Sequence, residues 1–387
     1  MGMSRDPRLL EECRALAAAV RPFGTLESMH TSPGWPALAA RFDALLRTVR
    51  RFSPERGPAP SAADDRVRLV QWNIEHGNWY EQVESALLTH PSLAGADLVA
   101  LEETDLGCAR AANRDVAFDL AGALGMHAVW APLFLETTVG RDDDPRMAAG
   151  RENEEGLFGI ALLSRWPVGE ARVVELPSPR KLQFELERMV GRHAALVVEV
   201  NHPRRPFVAV VAHLEVHRAR SHRAAQVRAI TAALGREKRP VVLAGDFNSH
   251  TFDRGLWHST LHGAAALLLL RGGALRRRLL RPDHGWAHEP LFDVLREAGF
   301  AWEPFVDFEP TLQLRDDRLE ELHALPGMLR VPAARVLTWA VHRGALRLDW
   351  VAGRGWGGGA GRTVHGLDGP GLASDHAPIV ADLAWPA

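Results

Sequence analysis

The strongest chemical pattern in this chain lies in Pro240–His250, PVVLAGDFNSH, where an apolar run ends in Gly245 and is followed by Asp246 and Asn248. Two residues apart, a carboxylate and an amide can project toward one phosphate. The carboxylate can accept a proton or hold a metal, and the amide can donate to a phosphoryl oxygen. A turn alone would account for Gly-Asp and Asn-Ser, but not for the fully apolar strand that precedes them. Gly245 would permit a tight exit from that strand.

Five further clusters share this placement at the ends of apolar runs. In QWNIEHG, Gln71–Gly77, Asn73 and Glu75 alternate with apolar neighbours and would share one strand face. DLVALEETD, Asp97–Asp105, ends its apolar run in Glu102 and Glu103, and hard cations such as Mg²⁺ favour carboxylate oxygens. VVAHLEVH places His213 at the end of a very apolar run, as a functional group or as a satisfied core histidine. In RLDWVAG, Asp349 interrupts a β-like run, and a buried aspartate needs a histidine, a cation or backbone donors as partner. Ser374, Asp375 and His376 precede the last apolar run, and an imidazole oriented by a carboxylate suits a general base.

The elements that must position these groups are short and β-branched. Runs at Val67–Trp72, Asp97–Leu101, Gly159–Leu163, Ala194–Val200, Phe207–Leu214, Val241–Ala244, Arg347–Val351 and Ile379–Leu383 predict buried strands. Helix-like segments such as Asn113–Leu124 and Arg218–Ala233 lie between them. The pattern predicts an α/β fold with sheets packed face to face and helices outside. Residues 1–64 read as a helical extension, with Leu9, Leu10, Cys13, Leu16 and Ala17 and then Leu38, Phe42, Leu45, Leu46 and Val49 at helical spacing. The Pro-rich Ser53–Ala63 reads as a linker into a domain over residues 65–387, which carries an insertion at about 249–344. The glycine-rich Gly353–Gly361 reads as a loop or hairpin tip.

Composition narrows the class. With 46% hydrophobic and 24% charged residues the chain can bury a sizeable core. Its longest apolar stretch, Ala264–Leu270, is too short to span a membrane, and MGMSRDPRLLEE does not resemble a secretory leader, so the expected compartment is the cytoplasm. Two cysteines exclude a disulfide framework and a thiolate metal site. A formal net charge of −2 gives no basic excess for nucleic-acid binding and suits a small or lipid-borne phosphate equally well.

Taken together, WNIEHG, ALEETD, GIALLSRWP, AHLEVH, AGDFNSH, RLDWV and SDHAPI occur in an order that resembles the endonuclease/exonuclease/phosphatase superfamily, over Val67–Leu383. The resemblance implies a four-layer α/β sandwich with two mostly antiparallel sheets, DNase I-like. It implies Mg²⁺, with Mn²⁺ as an alternative, held by Glu103 with Asn73 or Glu75, and with Asp375 as a second contributor. It implies that Asp246 and Asn248 position water and phosphate, that His213 contacts phosphate, and that Asp349 orients His376. His376 would then take a proton from water, with Asp246 as the rival base, while Asn73, Asn248 and His213 donate to phosphoryl oxygens. Two features depart from the pattern. Gly159-Ile160-Ala161 stands where relatives often have Gly-Asn-Ala, and residues 249–344 have no assignable counterpart.

The implied reaction is metal-dependent hydrolysis of a phosphate ester. Arg276–Arg278 and the arginines of Arg218–Ala233 could track a nucleic acid, and Leu267–Leu270 followed by arginines could meet a phospholipid surface. A small phosphate ester is the third substrate class. A two-metal calcineurin-like enzyme is disfavoured because its Gly-Asn-His is absent. The remaining alternative is a non-catalytic phosphate- or nucleic-acid-binding protein on the same fold.

Overall fold

The computed structural model of the chain describes residues 6–55, 65–141, 143–178, 181–251, 265–266, 269–285, 288–313, 344–369 and 371–386. The strands are β1 Arg50–Phe52, β2 Arg66–Asn73, β3 Leu98–Leu106, β4 His127–Glu136, β5 Leu157–Ser164, β6 Val168–Glu175, β7 Met189–Gly191, β8 Ala194–Val200, β9 Phe207–His213, β10 Val241–Asp246, β11 Leu312–Gln313, β12 Ala345–Leu346, β13 Asp349–Arg354, β14 Gly358–Thr363 and β15 Ile379–Ala384. One sheet has the order β1-β4-β5-β3-β2-β15-β14, with β7 also on β4. A second has the order β13-β10-β9-β8-β6, and among the described residues β11 and β12 form a separate pair. Most neighbours are antiparallel; β2–β3 and β9–β10 are parallel.

Side-chain alternation sorts these strands into four layers. Val67, Leu69, Leu98, Ala100, Ile160 and Ile379 from the first sheet meet Leu196, Ala209, Val211, Val242, Ala244 and Val351 from the second. The opposite faces pack on helices. Val70, Trp72, Val99, Leu101 and Trp130 meet the helices Tyr80–Thr89 and Val116–Leu124, while Val208, Val210, Val241 and Leu243 meet Arg220–Leu234 and Leu291–Glu297. The expected helix–sheet–sheet–helix sandwich is therefore observed.

The N-terminal helices Pro7–Val20 and Trp35–Leu46 form where the apolar spacing predicted them. Asp6 caps the first, its carboxylate accepting from Arg8 N at 2.9 Å. Cys13, Leu16, Val20, Phe42 and Leu45 enter the same apolar cluster as Trp130, and β1 pairs with β4. Both cysteines are free and buried.

Several elements differ from expectation. β4 carries no continuous strand signal because Pro132 interrupts it; the ladder shifts register between Pro132 and Phe134, which accommodates the missing N–H. β6, VGEARVVE, is a polar edge strand without a clear apolar signal. Asn113–Leu124 begins as a helix only at Val116, because Asn113 is left-handed at φ 57° and Asp115 provides the cap. The glycine-rich Gly353–Gly361 is not a hairpin tip: β13 and β14 lie in different sheets, so the segment crosses between them. Ser53–Ala63 and Leu267–Leu270 lie largely outside the described residues; Leu269 is exposed.

Gly245 also has another role than the one expected. It lies inside β10, and a Cβ there would sit 1.8 Å from the Ala212 carbonyl oxygen of β9, at a φ of 154°. Gly245→Ala is expected to cost about 3 kcal/mol, the upper range for overpacking, since backbone rather than a side chain must move. Urea unfolding would measure it, and an unchanged midpoint would contradict the close approach.

Candidate active site

The inter-sheet layer is apolar along most of its length and polar at one end. On β2 the column Val67, Leu69 continues as Gln71 and Asn73; on β3 the column Leu98, Ala100 continues as Glu102. On β9 it continues from Val211 to His213, on β10 from Ala244 to Asp246, and on β13 Asp349 precedes Val351. The register aligns these ends, pairing Asn73 with Glu102, and Asp246 with both His213 and Asp349. Both parallel pairs run toward the same end, so hydrophobic alternation itself delivers the polar groups to one place. Gln71, Asn73, Glu102, Asp246, Asp349, Asp375 and His376 are all buried, so each needs a partner.

Most of those partners are each other. His376 Nδ1 lies 2.8 Å from Asp349 Oδ2, and its Nε2 lies 4.0 Å from Asp246 Oδ2. Gln71 Nε2 bridges the sheets, donating to Glu102 Oε2 at 2.7 Å and to Asp349 Oδ1 at 2.9 Å. Asn73 Nδ2 donates to Glu103 Oε1 at 3.1 Å and Asp246 Oδ2 at 3.2 Å. Asn248 N donates to Asp246 Oδ1 at 2.8 Å, and its side-chain amide donates to Leu214 O at 2.8 Å. His213 Nε2 stands 3.7 Å from Asp246 Oδ2 and 4.0 Å from Glu103 Oε1. The loop before β15 is pinned by Ser374, whose hydroxyl donates to Asn73 O at 2.7 Å, and by Trp72 Nε1 donating to His376 O at 2.8 Å.

Electrostatics follow from this crowding. Burial raises the carboxyls of Glu102, Glu103 and Asp246, and the charge of Asp349 adds to the shift at Glu102 and Asp246. Burial alone would lower His376, but Asp349, Asp375 and Asp246 together lift it well above its ordinary value. Asp349 moves the other way: burial opposes ionisation, and His376 with its hydrogen bond holds the carboxyl below its usual range. The described partners of these carboxylates are amides, histidines and a threonine hydroxyl, a donor set that a divalent cation would complete.

The backbone is strained at the same place. Among the described residues, Glu75, His76, Glu103 and Asn248 have φ of 47°, 65°, 53° and 48°, a left-handed region that side chains rarely adopt. The ladder shifts register between Leu101 and Thr104, so Glu103 sits on a bulge that re-aims it.

A model of the Endonuclease/Exonuclease/phosphatase family matches residues 70–376. The chain belongs to this family. Members of this family are typically hydrolases of phosphoester bonds and generally depend on a divalent metal. Among solved structures, an endonuclease/exonuclease/phosphatase from Beutenbergia cavernae matches with a TM-score of 0.50 and 17% identity, covering 83% of this chain and 72% of its own. A 3′ phosphatase from Neisseria bound to a product DNA hairpin matches with a TM-score of 0.46 and 16% identity, covering 82% and 100%. Sphingomyelinase C from Streptomyces griseocarneus matches with a TM-score of 0.46 and 14% identity, covering 82% and 99%. The first of these supports the fold alone. No curated protein matches the chain.

Within this endonuclease/exonuclease/phosphatase fold, Asn73, Glu103, His213, Asp246, Asn248, Asp349 and His376 converge as the motifs predicted. Asp375 lies beside them and acts on both Glu103 and His376. Glu75 does not share a strand face with Asn73. β2 ends at Asn73 and Glu75 opens a 3₁₀ turn, its N–H donated to Asn73 Oδ1 at 3.1 Å. Ile160 is fully buried between the sheets, so no polar group enters the site from that position. Arg223 is neither a solvated nor a phosphate-binding group: it is fully buried against Glu289, at 2.6 and 3.1 Å. Arg276 pairs with Glu309 at 2.7 Å, and Arg278 donates to Thr251 O at 2.9 Å. Gln71 and His76 also belong to the site region and both stand in the first motif; Gln71 shares the strand alternation of Asn73, whereas His76 lies in the turn after it.

Proposed function

We propose that this chain hydrolyses a phosphodiester with an activated water and a bound Mg²⁺, for which Mn²⁺ can substitute. The observation that carries this is the convergence of the Asp349–His376 pair on Asp246, with Asn73 and Glu103 facing the same point from the other sheet. Glu103 and Asn73, with Asp375 nearby, would hold the cation, which when bound supplies charge neutralisation at a phosphoryl or leaving oxygen. Asp246, Asp349 and His376 also offer three ligand-type atoms within 4.8 Å of one another. We favour the Glu103 side because Asp349 and His376 already bond to each other.

Asp246 takes the proton from water. Its raised carboxyl makes it a stronger base than an ordinary aspartate. This differs from the sequence expectation, which gave the base role to His376 and kept Asp246 as its rival. The carboxylates around His376 favour its protonated form, which suits donation from Nε2 to a phosphoryl oxygen. Asn248 has one amide hydrogen beyond its bond to Leu214 O, and His213 Nε2 faces the same space; both suit binding of the phosphoryl group. Arg223 is buried against Glu289, Arg278 bonds to Thr251 O, and the exposed Arg276 is paired with Glu309, which favours a small or lipid-type diester over an extended nucleic acid.

Hydrolysis of bis-p-nitrophenyl phosphate, sphingomyelin and supercoiled plasmid by the purified protein tests the reading. The expected result is Mg²⁺- or Mn²⁺-dependent turnover of the first two and little nicking of the third. No turnover of any, by protein that binds Mn²⁺, would favour a non-catalytic phosphate-binding role.

A further inference from the structure

We infer that His76 positions Glu103 for cation binding, standing between that carboxylate and a rigid buried ion cluster behind it. The inference rests on the cation site proposed for Glu103. His76 Nε2 lies 3.3 Å from Glu103 Oε2, and its Nδ1 lies 3.8 Å from Asp105 Oδ1. The other oxygen of Glu103, Oε1, faces Asn73 at 3.1 Å and His213 at 4.0 Å. One carboxylate oxygen is thus turned toward the site and the other toward His76.

The far side of the imidazole faces a rigid ion cluster without bonding to it, Nδ1 standing beyond hydrogen-bond reach of Asp105. Asp105 is fully buried and receives two bonds from Arg110, at 2.7 and 3.0 Å. Arg110 is in turn held by Glu136 and by Asp144 at 3.2 Å, with 4% of its side chain exposed. Glu103 and Asp105 stand two residues apart on β3, so both reach His76 from one strand. Phe158 flanks the imidazole with ring centroids 5.4 Å apart.

The backbone carries an independent sign that this arrangement is built. Glu75, His76 and Gly77 are consecutive left-handed residues, at φ 47°, 65° and 77°. A Cβ at Gly77 would approach Val116 Cγ1 to 2.7 Å, so the turn is pressed against the helix beneath it. Such strain at non-glycine residues persists where surrounding structure imposes it, commonly at functional sites. The turn delivers the imidazole to Glu103 rather than to solvent.

A carboxylate on a bulge lacks the regular ladder on both sides, so its aim depends on side-chain bonds. The 3.3 Å contact of His76 Nε2 with the outer oxygen of Glu103 restricts that carboxylate's rotamers, and loss of such supporting partners typically weakens metal affinity about 10–100-fold. His76 is therefore a positioning residue, and glutamine, whose amide can donate to the same oxygen, is its conservative replacement.

Mn²⁺ binding followed by electron paramagnetic resonance, which needs no turnover, tests this on wild type, His76→Ala, His76→Gln and Glu103→Gln. His76→Ala is expected to weaken binding about tenfold or more and His76→Gln to recover it to within about threefold, with unchanged thermal midpoints. Wild-type affinity in His76→Ala alongside lost binding in Glu103→Gln would overturn the role of His76 and leave the cation site standing. Equal loss in both His76 variants would also overturn this contact as the mechanism. Wild-type affinity in Glu103→Gln would instead overturn the cation site itself.

Discussion

Asp246→Asn is expected to lower kcat for a phosphodiester by roughly 10²–10⁴, the usual worth of a placed general base. Asparagine keeps the volume and an acceptor for Asn248 N, so the strand end should hold its shape. It cannot take a proton from water. The stability effect should run the other way. Burial raises the Asp246 carboxyl, with Asp349 adding to it, so its ionised form works against folding once the pH exceeds the unfolded value. Removing that charge should leave the unfolding midpoint at neutral pH unchanged or higher. The acidic limb of the pH–rate profile, where activity falls as Asp246 gains a proton, should disappear from the residual activity. Loss of activity together with a lower midpoint would indicate structural damage instead.

Glu103→Gln should weaken cation affinity by about 100-fold or more, since this change removes a proposed ligand charge rather than a supporting partner. Activity should fall in parallel at low Mn²⁺ and recover in part at high Mn²⁺. EDTA should silence the wild-type protein, and added Mn²⁺ or Mg²⁺ should restore it. Unchanged Mn²⁺ affinity in Glu103→Gln, with loss in a His376→Gln variant, would move the cation to Asp246, Asp349 and His376.

Most of the site was legible because one physical rule governs it. A strand that alternates apolar residues toward a core and ends in a polar one on the same face must place that group at the core's edge. Asp246, His213 and Asp349 follow this rule, and so does Gln71, although a glutamine in an apolar run draws less attention than a carboxylate. Glu75 and His76 were hidden from it. The left-handed turn after Asn73 breaks the alternation, so strand spacing misassigned Glu75 and gave His76 no role. The eight predicted strands were strongly apolar. β4, interrupted by Pro132, and β6, a polar edge, depend on neighbours that local sequence does not reveal. The burial of Arg223 was likewise invisible, because its partner Glu289 is distant in sequence.

The most direct test is the rate of bis-p-nitrophenyl phosphate hydrolysis as Mn²⁺ is titrated into EDTA-treated protein, for wild type and Asp246→Asn side by side. The structure predicts saturable, Mn²⁺-dependent turnover in the wild type and a loss of about 10²-fold or more in the variant. Equal rates in the two proteins, or wild-type turnover that persists in EDTA, would contradict a metal phosphoesterase centred on Asp246.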